Sequence, residues 1–115
     1  MPIEAILRAG MLEALPGVPV YMEKPADASG TYVVLEKTGG DIYNYIMHAT
    51  IAVQTYAPTM YGAAVLGNEA RDAFFSLLEN EHIFSIDLNS GPYNFTDRET
   101  KQYRYQSVFV ITYEE

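Results

Sequence analysis

From Tyr103 to Tyr113 the chain alternates with a period of two. One set of side chains is Tyr103, Tyr105, Ser107, Phe109, Ile111 and Tyr113, and the interleaved set is Arg104, Gln106, Val108, Val110 and Thr112. Successive residues of a strand point to opposite faces, so the heavier apolar load on the first set predicts a half-buried strand. A run this long and aromatic is poorly suited to a sheet edge, where unpaired N–H and C=O groups invite aggregation. The expectation is a central strand paired on both sides, and the rest of the chain must supply its neighbours and its cover.

At 115 residues the chain is long enough for one domain, residues 1–115, that buries about two thirds of the surface its unfolded form exposes. With 49% hydrophobic residues, a disordered chain is excluded. There is no cysteine, so disulfide scaffolds, thiol nucleophiles and thiolate metal sites are excluded together. The first residues lack the basic start and apolar run of a signal peptide. No apolar stretch approaches the roughly 20 residues of a membrane-spanning helix. The expected location is the cytoplasm, with no membrane partner.

The formal charge is −8. Proteins that grip nucleic acid cluster Lys and Arg against phosphates. Here the seven basic residues are scattered, and Arg98, Lys101 and Arg104 form the nearest thing to a group. Direct nucleic-acid binding is disfavoured, although an acidic wall past which DNA slides without sticking is compatible with this charge.

A short helix is predicted over residues 2–15, with Pro2 suited to its first turn and Ile3, Ile6, Leu7, Met11 and Leu15 on one stripe. Pro16-Gly17 ends it, and residues 18–22 read as a first strand. After a polar loop, residues 31–38 read as a second strand, apolar on both faces and so covered in part on its second side. Gly39-Gly40-Asp41 is taken as a turn, and residues 42–57 as an unusually long third strand. Tyr45, Met47, Ala49, Ile51 and Val53 form its expected buried set. Its first part (Ile42, Tyr43, Tyr45, Ile46) is apolar on both faces, which predicts a projection beyond the domain's own sheet. Thr59 is a plausible N-cap for a long helix over residues 60–80, whose sheet-facing stripe is Ala63, Leu66, Ala70, Ala73, Phe74 and Leu77. Gly62 and Gly67 inside it mark close backbone approach, since each costs about 1 kcal/mol against alanine. Phe75 falls on the polar side of this helix, out of place. Residues 83–88 form a fourth strand that Asn89-Ser90-Gly91-Pro92 turns into the closing one. The order α-β-β-β-α-β-β is an α+β fold: an antiparallel sheet of about five strands with one long and one short helix packed on it.

No constellation for chemistry emerges. His48 and His82 read as surface residues. Asp87, Asn89, Ser90 and Asp97 lack the spacing of a calcium loop, and Asp97 with Glu99 beside Arg98 and Lys101 reads as a solvated hairpin. Phosphate-loop, dinucleotide and nucleophile-elbow motifs are missing. The expectation is a chain that is not an enzyme, with no catalytic residue, cofactor or metal. What stands out is aromatic content: ten tyrosines and five phenylalanines. Tyrosine suits interfaces because it joins a large apolar body to a polar tip. Tyr103, Tyr105 and Tyr113 are assigned to core and rim. Ile42, Tyr43, Tyr45, Met47, Phe75 and Tyr93 are the candidate subunit-interface residues.

The closing segment, Asn94-Phe95-Thr96-Asp97, then Glu99-Thr100-Lys101-Gln102-Tyr103-Arg104-Tyr105-Gln106, then Phe109, Ile111, Thr112 and Tyr113, resembles the carboxyl-terminal signature of the tail-terminator proteins of long-tailed phages. That family, also called tail-completion or head–tail joining proteins, occurs in prophages too. Val33, Leu35-Glu36-Lys37-Thr38-Gly39-Gly40 and Val53-Gln54-Thr55-Tyr56-Ala57 are similar to its second strand and to the strand end before its helix. The likeness spans residues 18–113 in the same element order. It implies a non-enzymatic assembly protein of the virion, made in the host bacterial cytoplasm. Such a protein forms a homo-oligomeric ring, usually hexameric, on the tail-tube protein, stops tail polymerisation and presents a surface to the head connector. DNA then passes through the lumen without specific binding. Two other readings stay open on the residues alone: another phage neck or tail component, and a small ligand-binding α+β regulatory domain.

Overall fold

In a computed structural model, the described residues are 2–27, 29–97 and 102–114. They form α1 (Ile3–Ala14), β1 (Val20–Tyr21), β2 (Tyr32–Tyr43), β3 (Ile46–Ala57), α2 (Met60–Ser76) with a 3₁₀ turn (Leu77–Glu79), β4 (Ile83–Asn94) and β5 (Tyr103–Tyr113). The fold is α+β, with one five-stranded sheet in the order β1-β2-β3-β5-β4. The closing strand β5 sits between β3 and β4 and pairs antiparallel with both, in the central place expected of it. Ser107, Phe109, Ile111 and Tyr113 are buried on one face, while Val108, Val110 and Thr112 are half-buried on the other. Among the described residues no helix is long and apolar enough to cross a membrane.

Both helices cover the first face. Thr59 caps α2, its hydroxyl accepting from the Gly62 N–H at 3.0 Å. All six stripe residues from Ala63 to Leu77 are buried against the sheet. Phe74 stacks on Phe109 with ring centroids 4.2 Å apart, and Ile3, Leu7 and Met11 of α1 close the remaining side. Gly67 is a true close approach: a β-carbon there would lie 3.3 Å from that of Tyr105 and 3.4 Å from the Thr55 hydroxyl. Thr55 is buried, and its hydroxyl donates to the Ala63 carbonyl at 3.1 Å.

One strand direction and three boundaries differ from expectation. The sheet is mixed rather than antiparallel, because β1 runs parallel to β2 through a two-residue ladder, Val20 with Val33 and Tyr21 with Val34. Alternation of side chains carries no information about strand direction. Gly39-Gly40-Asp41 is not a turn: both glycines are extended inside β2, and the ladder merely slips between Lys37 and Gly39. The reversal falls at Asn44 (φ 52°) and Tyr45 (φ 65°), the two-residue geometry that matches strand twist. Ile42 and Tyr43 therefore close β2 instead of opening β3, and Tyr45 belongs to the turn instead of the buried set of β3. Similarly, β4 continues through Asn89-Ser90-Gly91-Pro92 to Asn94, absorbing them by register slips at Leu88/Ser90 and Ser90/Tyr93. The long helix ends four residues early and tightens into the 3₁₀ turn. Arg98, Glu99 and Lys101 lie outside the described residues.

Candidate interaction surfaces

The β2–β3 hairpin carries the most exposed apolar surface of the described residues. Beyond the row that joins Ile42, Met47, Tyr113 and Ile83 across the sheet, the chain continues into Tyr43, Asn44, Tyr45 and Ile46 with no third strand beside it. Ile42 is 66% exposed, Tyr43 71% and Tyr45 96%. Met47 is drawn inward, half-buried against the helix-covered core. Asp41 and His48 face each other across the ladder, with Oδ1 2.9 Å from Nδ1.

A second apolar patch lies where α2 ends over β4. Phe75 keeps its expected place on the outer side of the helix, yet its ring meets Phe109 edge-on at 5.5 Å and covers that corner of the core. Leu78 follows one turn later, and Phe84, 49% exposed, sits in the register slip at the start of β4. Sequence reasoning missed Leu78 and Phe84. Their signal was local: Leu78 stands three residues from Phe75, which is helical neighbour spacing. This patch and the hairpin occupy opposite edges of the sheet at the same end of it.

Tyr93 belongs elsewhere. It pairs with Gln106, at the far end of β5 from the hairpin, so the structure does not bring it together with Ile42, Tyr43 and Tyr45. It terminates a chain of hydrogen bonds over the face without helices. Arg104 donates from Nε to the Phe95 carbonyl (2.8 Å) and from Nη1 to the Tyr56 hydroxyl (3.1 Å). Tyr56 donates to Gln54 Oε1 (3.4 Å), Gln54 Nε2 to Gln106 Oε1 (2.9 Å), and Gln106 Nε2 to the Tyr93 hydroxyl (2.6 Å). The Arg104 guanidinium also sits 4.5 Å from the Phe95 ring centroid. Beside this network Tyr32 stacks on Tyr56 at 4.5 Å, with Tyr21 edge-on to it. The Tyr32 hydroxyl is buried and has no hydrogen-bond partner among the described residues. Burial, followed by the neighbouring Tyr56, pushes its pKa up. The ring lines a recess of about 210 Å³ with Ser29, Gly30, Pro58, Gln102 and Tyr103.

The histidines sit beside carboxylates at the surface: His48 on Asp41, and His82 with Nε2 3.7 Å from Glu81 and Nδ1 4.0 Å from Glu114. No protein-family model matches the chain, and no curated protein matches it in sequence. What the arrangement offers is surface for association: two exposed apolar patches on opposite edges of one sheet.

Proposed function

We propose that this chain is a non-enzymatic virion assembly protein that forms a ring at the end of a phage tail tube. There it terminates tail polymerisation and joins the tail to the head connector. One observation carries the reading: the apolar end of the β2–β3 hairpin, Ile42, Tyr43 and Tyr45, stands in solvent, although burial of each such side chain stabilises by about 1.5–3 kcal/mol. A head-to-tail ring requires two different patches per subunit. The hairpin is the first, and Phe75 with Leu78 and Phe84 is the second. A stable contact buries about 800 Å² per partner, which sets the area that the two patches and their surroundings must supply together. The charge of −8 supports a lumen through which DNA moves without adhering. The resemblance of the closing segment to tail terminators supplies the tail tube and head connector as partners, and the virion as location.

Negative-stain imaging of the purified protein, alone and with tail tubes, tests this directly; rings capping the tubes are expected. Tyr45→Asp is expected to abolish them with circular dichroism unchanged, because the side chain touches solvent in the monomer. Rings formed equally well by Tyr45→Asp overturn the role given to the hairpin. A monomer at high concentration by light scattering, together with bare tubes, overturns the function. A second reading, a small ligand-binding domain, is favoured by the recess at Tyr32. Its mark would be a compound that binds there and protects the Tyr32 environment in the monomer.

A further inference from the structure

The five-stranded sheet has two free edges, and both are open over the same half. On the β2 side, β1 covers Val33 and Val34 and stops, which leaves β2 from Glu36 to Tyr43 without an outer neighbour among the described residues. On the β4 side, the half from Ser90 to Asn94 is irregular. It holds two register slips and Pro92, which has no N–H to give. The half from Ile83 to Leu88 holds one slip, at Phe84, and is otherwise regular. Proteins commonly blunt free edges with charge, proline, bulges or cover. Here cover on one edge and proline with irregularity on the other protect the lower half, and the upper half of each is left available.

The ladders place these halves at one level. Ile42 lies in a row with Met47, Tyr113 and Ile83; Asp41 with His48, Thr112 and Ser85; Lys37 with Ile51, Phe109 and Leu88. Strand direction reverses at each step from β2 through β3 and β5 to β4, so β4 runs opposite to β2. Resting on the ring reading above, we infer that neighbouring subunits join edge to edge. The β2 run 39–43 of one copy pairs antiparallel with Ile83–Leu88 of the next, making one sheet continuous between subunits. A closed ring keeps every copy in the same up–down sense, and rotation about its axis brings these two edges together antiparallel at the same level. Gly39 and Gly40 fit the role: extended and without side chains, they let a second backbone approach. The hairpin tip then passes over the Phe75–Leu78–Phe84 patch, so the apolar contact of the proposed function and the strand contact share one interface.

The absence of cysteine makes the test clean. Asp41→Cys and Ser85→Cys, made singly, stand opposite each other across the proposed contact, about 4.5–5.5 Å between α-carbons. Oxidising an equimolar mixture is expected to give the mixed disulfide dimer at least about tenfold above a control pairing of Asp41→Cys with Glu69→Cys on the outer face of α2. In the unaltered protein, amide exchange is expected to slow on assembly in the 39–43 and 83–88 segments together. Assembly seen by light scattering, with cross-linking no better than the control and no such protection, overturns the edge pairing while the ring stands. No assembly of the unaltered protein at any concentration, with or without tail tubes, overturns both.

Discussion

The two hairpins of this sheet spend their side chains in opposite ways. The described ends of the β4–β5 connection, Phe95–Asp97 and Gln102, are stitched to the domain. The Phe95 N–H donates to the Arg104 carbonyl at 2.8 Å, the Asn94 carboxamide oxygen accepts from the Thr96 N–H at 3.0 Å, and Asp97 bridges to Gln102. Arg104 then ties the connection to Tyr56 on the third strand. At the other end of the sheet the β2–β3 hairpin closes in two residues, and its tip reaches past every neighbour. Its aromatic residues stand mostly in solvent, Tyr43 at 71% and Tyr45 at 96% exposure. A polar hairpin that satisfies itself needs no partner. An apolar one that projects is a surface waiting for one.

The largest expected effect lies on the stitched side. Arg104→Met keeps the length of the side chain while removing two charged donors and the contact with the Phe95 ring. Hydrogen bonds from charged groups contribute about 1.5–3 kcal/mol and leave unsatisfied acceptors behind when lost. A destabilisation of about 2 kcal/mol in urea or thermal unfolding is expected, together with faster amide exchange from Tyr93 to Thr96. An Arg104→Met chain as stable as the original would mean that the stitching is decorative, and the contrast between the hairpins would dissolve.

Next in size is Tyr32→Phe, in the same aromatic cluster but with the opposite sign. Its hydroxyl is buried with no hydrogen-bond partner among the described residues, and such a group costs about 1–3 kcal/mol. Removing it is expected to stabilise by about 1 kcal/mol, where Tyr56→Phe, which loses the link from Arg104 to Gln54, destabilises. The pH dependence follows from linkage. With its folded pKa raised above the ordinary phenol value, Tyr32 holds its proton in the native state while the unfolded chain begins to release it near pH 10. Its effect on stability is therefore constant below pH 10, and the protein loses further stability as pH rises through and above that value. Tyr32→Phe is expected to flatten the alkaline limb of a stability–pH profile; an unchanged limb would show that the phenol finds a partner in solution.

How much of this was legible in the sequence depends on how far apart the partners stand. The central strand and the α2 stripe were legible because each repeats a local period against one cover. The projecting hairpin was legible from Ile42, Tyr43, Tyr45 and Ile46: a strand apolar on both faces cannot bury both with its own sheet. The exact place of the reversal was not, because two adjacent glycines give a stronger turn signal than Asn44-Tyr45. Here Gly40 serves close backbone packing, with the His48 carbonyl only 2.8 Å from where its β-carbon would stand, and Gly39 simply continues the strand. The direction of β1 rests on two ladder pairs and leaves no periodic trace. The network from Arg104 to Tyr93 was illegible for another reason. It joins residues 48 and 52 positions apart on neighbouring strands, and register sets it, not pattern. Phe75 shows a mixed case: its outward position was readable from helical spacing, its edge-on contact with Phe109 was not.

The smallest expected change in stability is the most discriminating, and it falls at the tip. Asn44 and Tyr45 both hold positive φ, a turn geometry that Asn-Gly satisfies with least strain. Tyrosine at φ 65° is uncommon and holds roughly 1 kcal/mol of backbone strain that glycine relieves. Glycine also gives the unfolded chain more freedom, which offsets part of that relief. Tyr45→Gly is thus expected to raise monomer stability by up to about 0.5 kcal/mol, read as a small rise in Tm. In the same protein, ring assembly is expected to weaken severely, because a nearly fully exposed aromatic ring has been removed from the proposed contact. Stability and assembly moving in opposite directions is what a strained, solvent-facing tyrosine kept for a partner must produce. If Tyr45→Gly stabilises and still assembles, the tip is a simple turn, and the apolar contact belongs to Ile42 and Tyr43 on the strand behind it. If it destabilises, Tyr45 makes contacts within its own subunit, and the contrast between a self-satisfied hairpin and an unsatisfied one is wrong at its sharpest point.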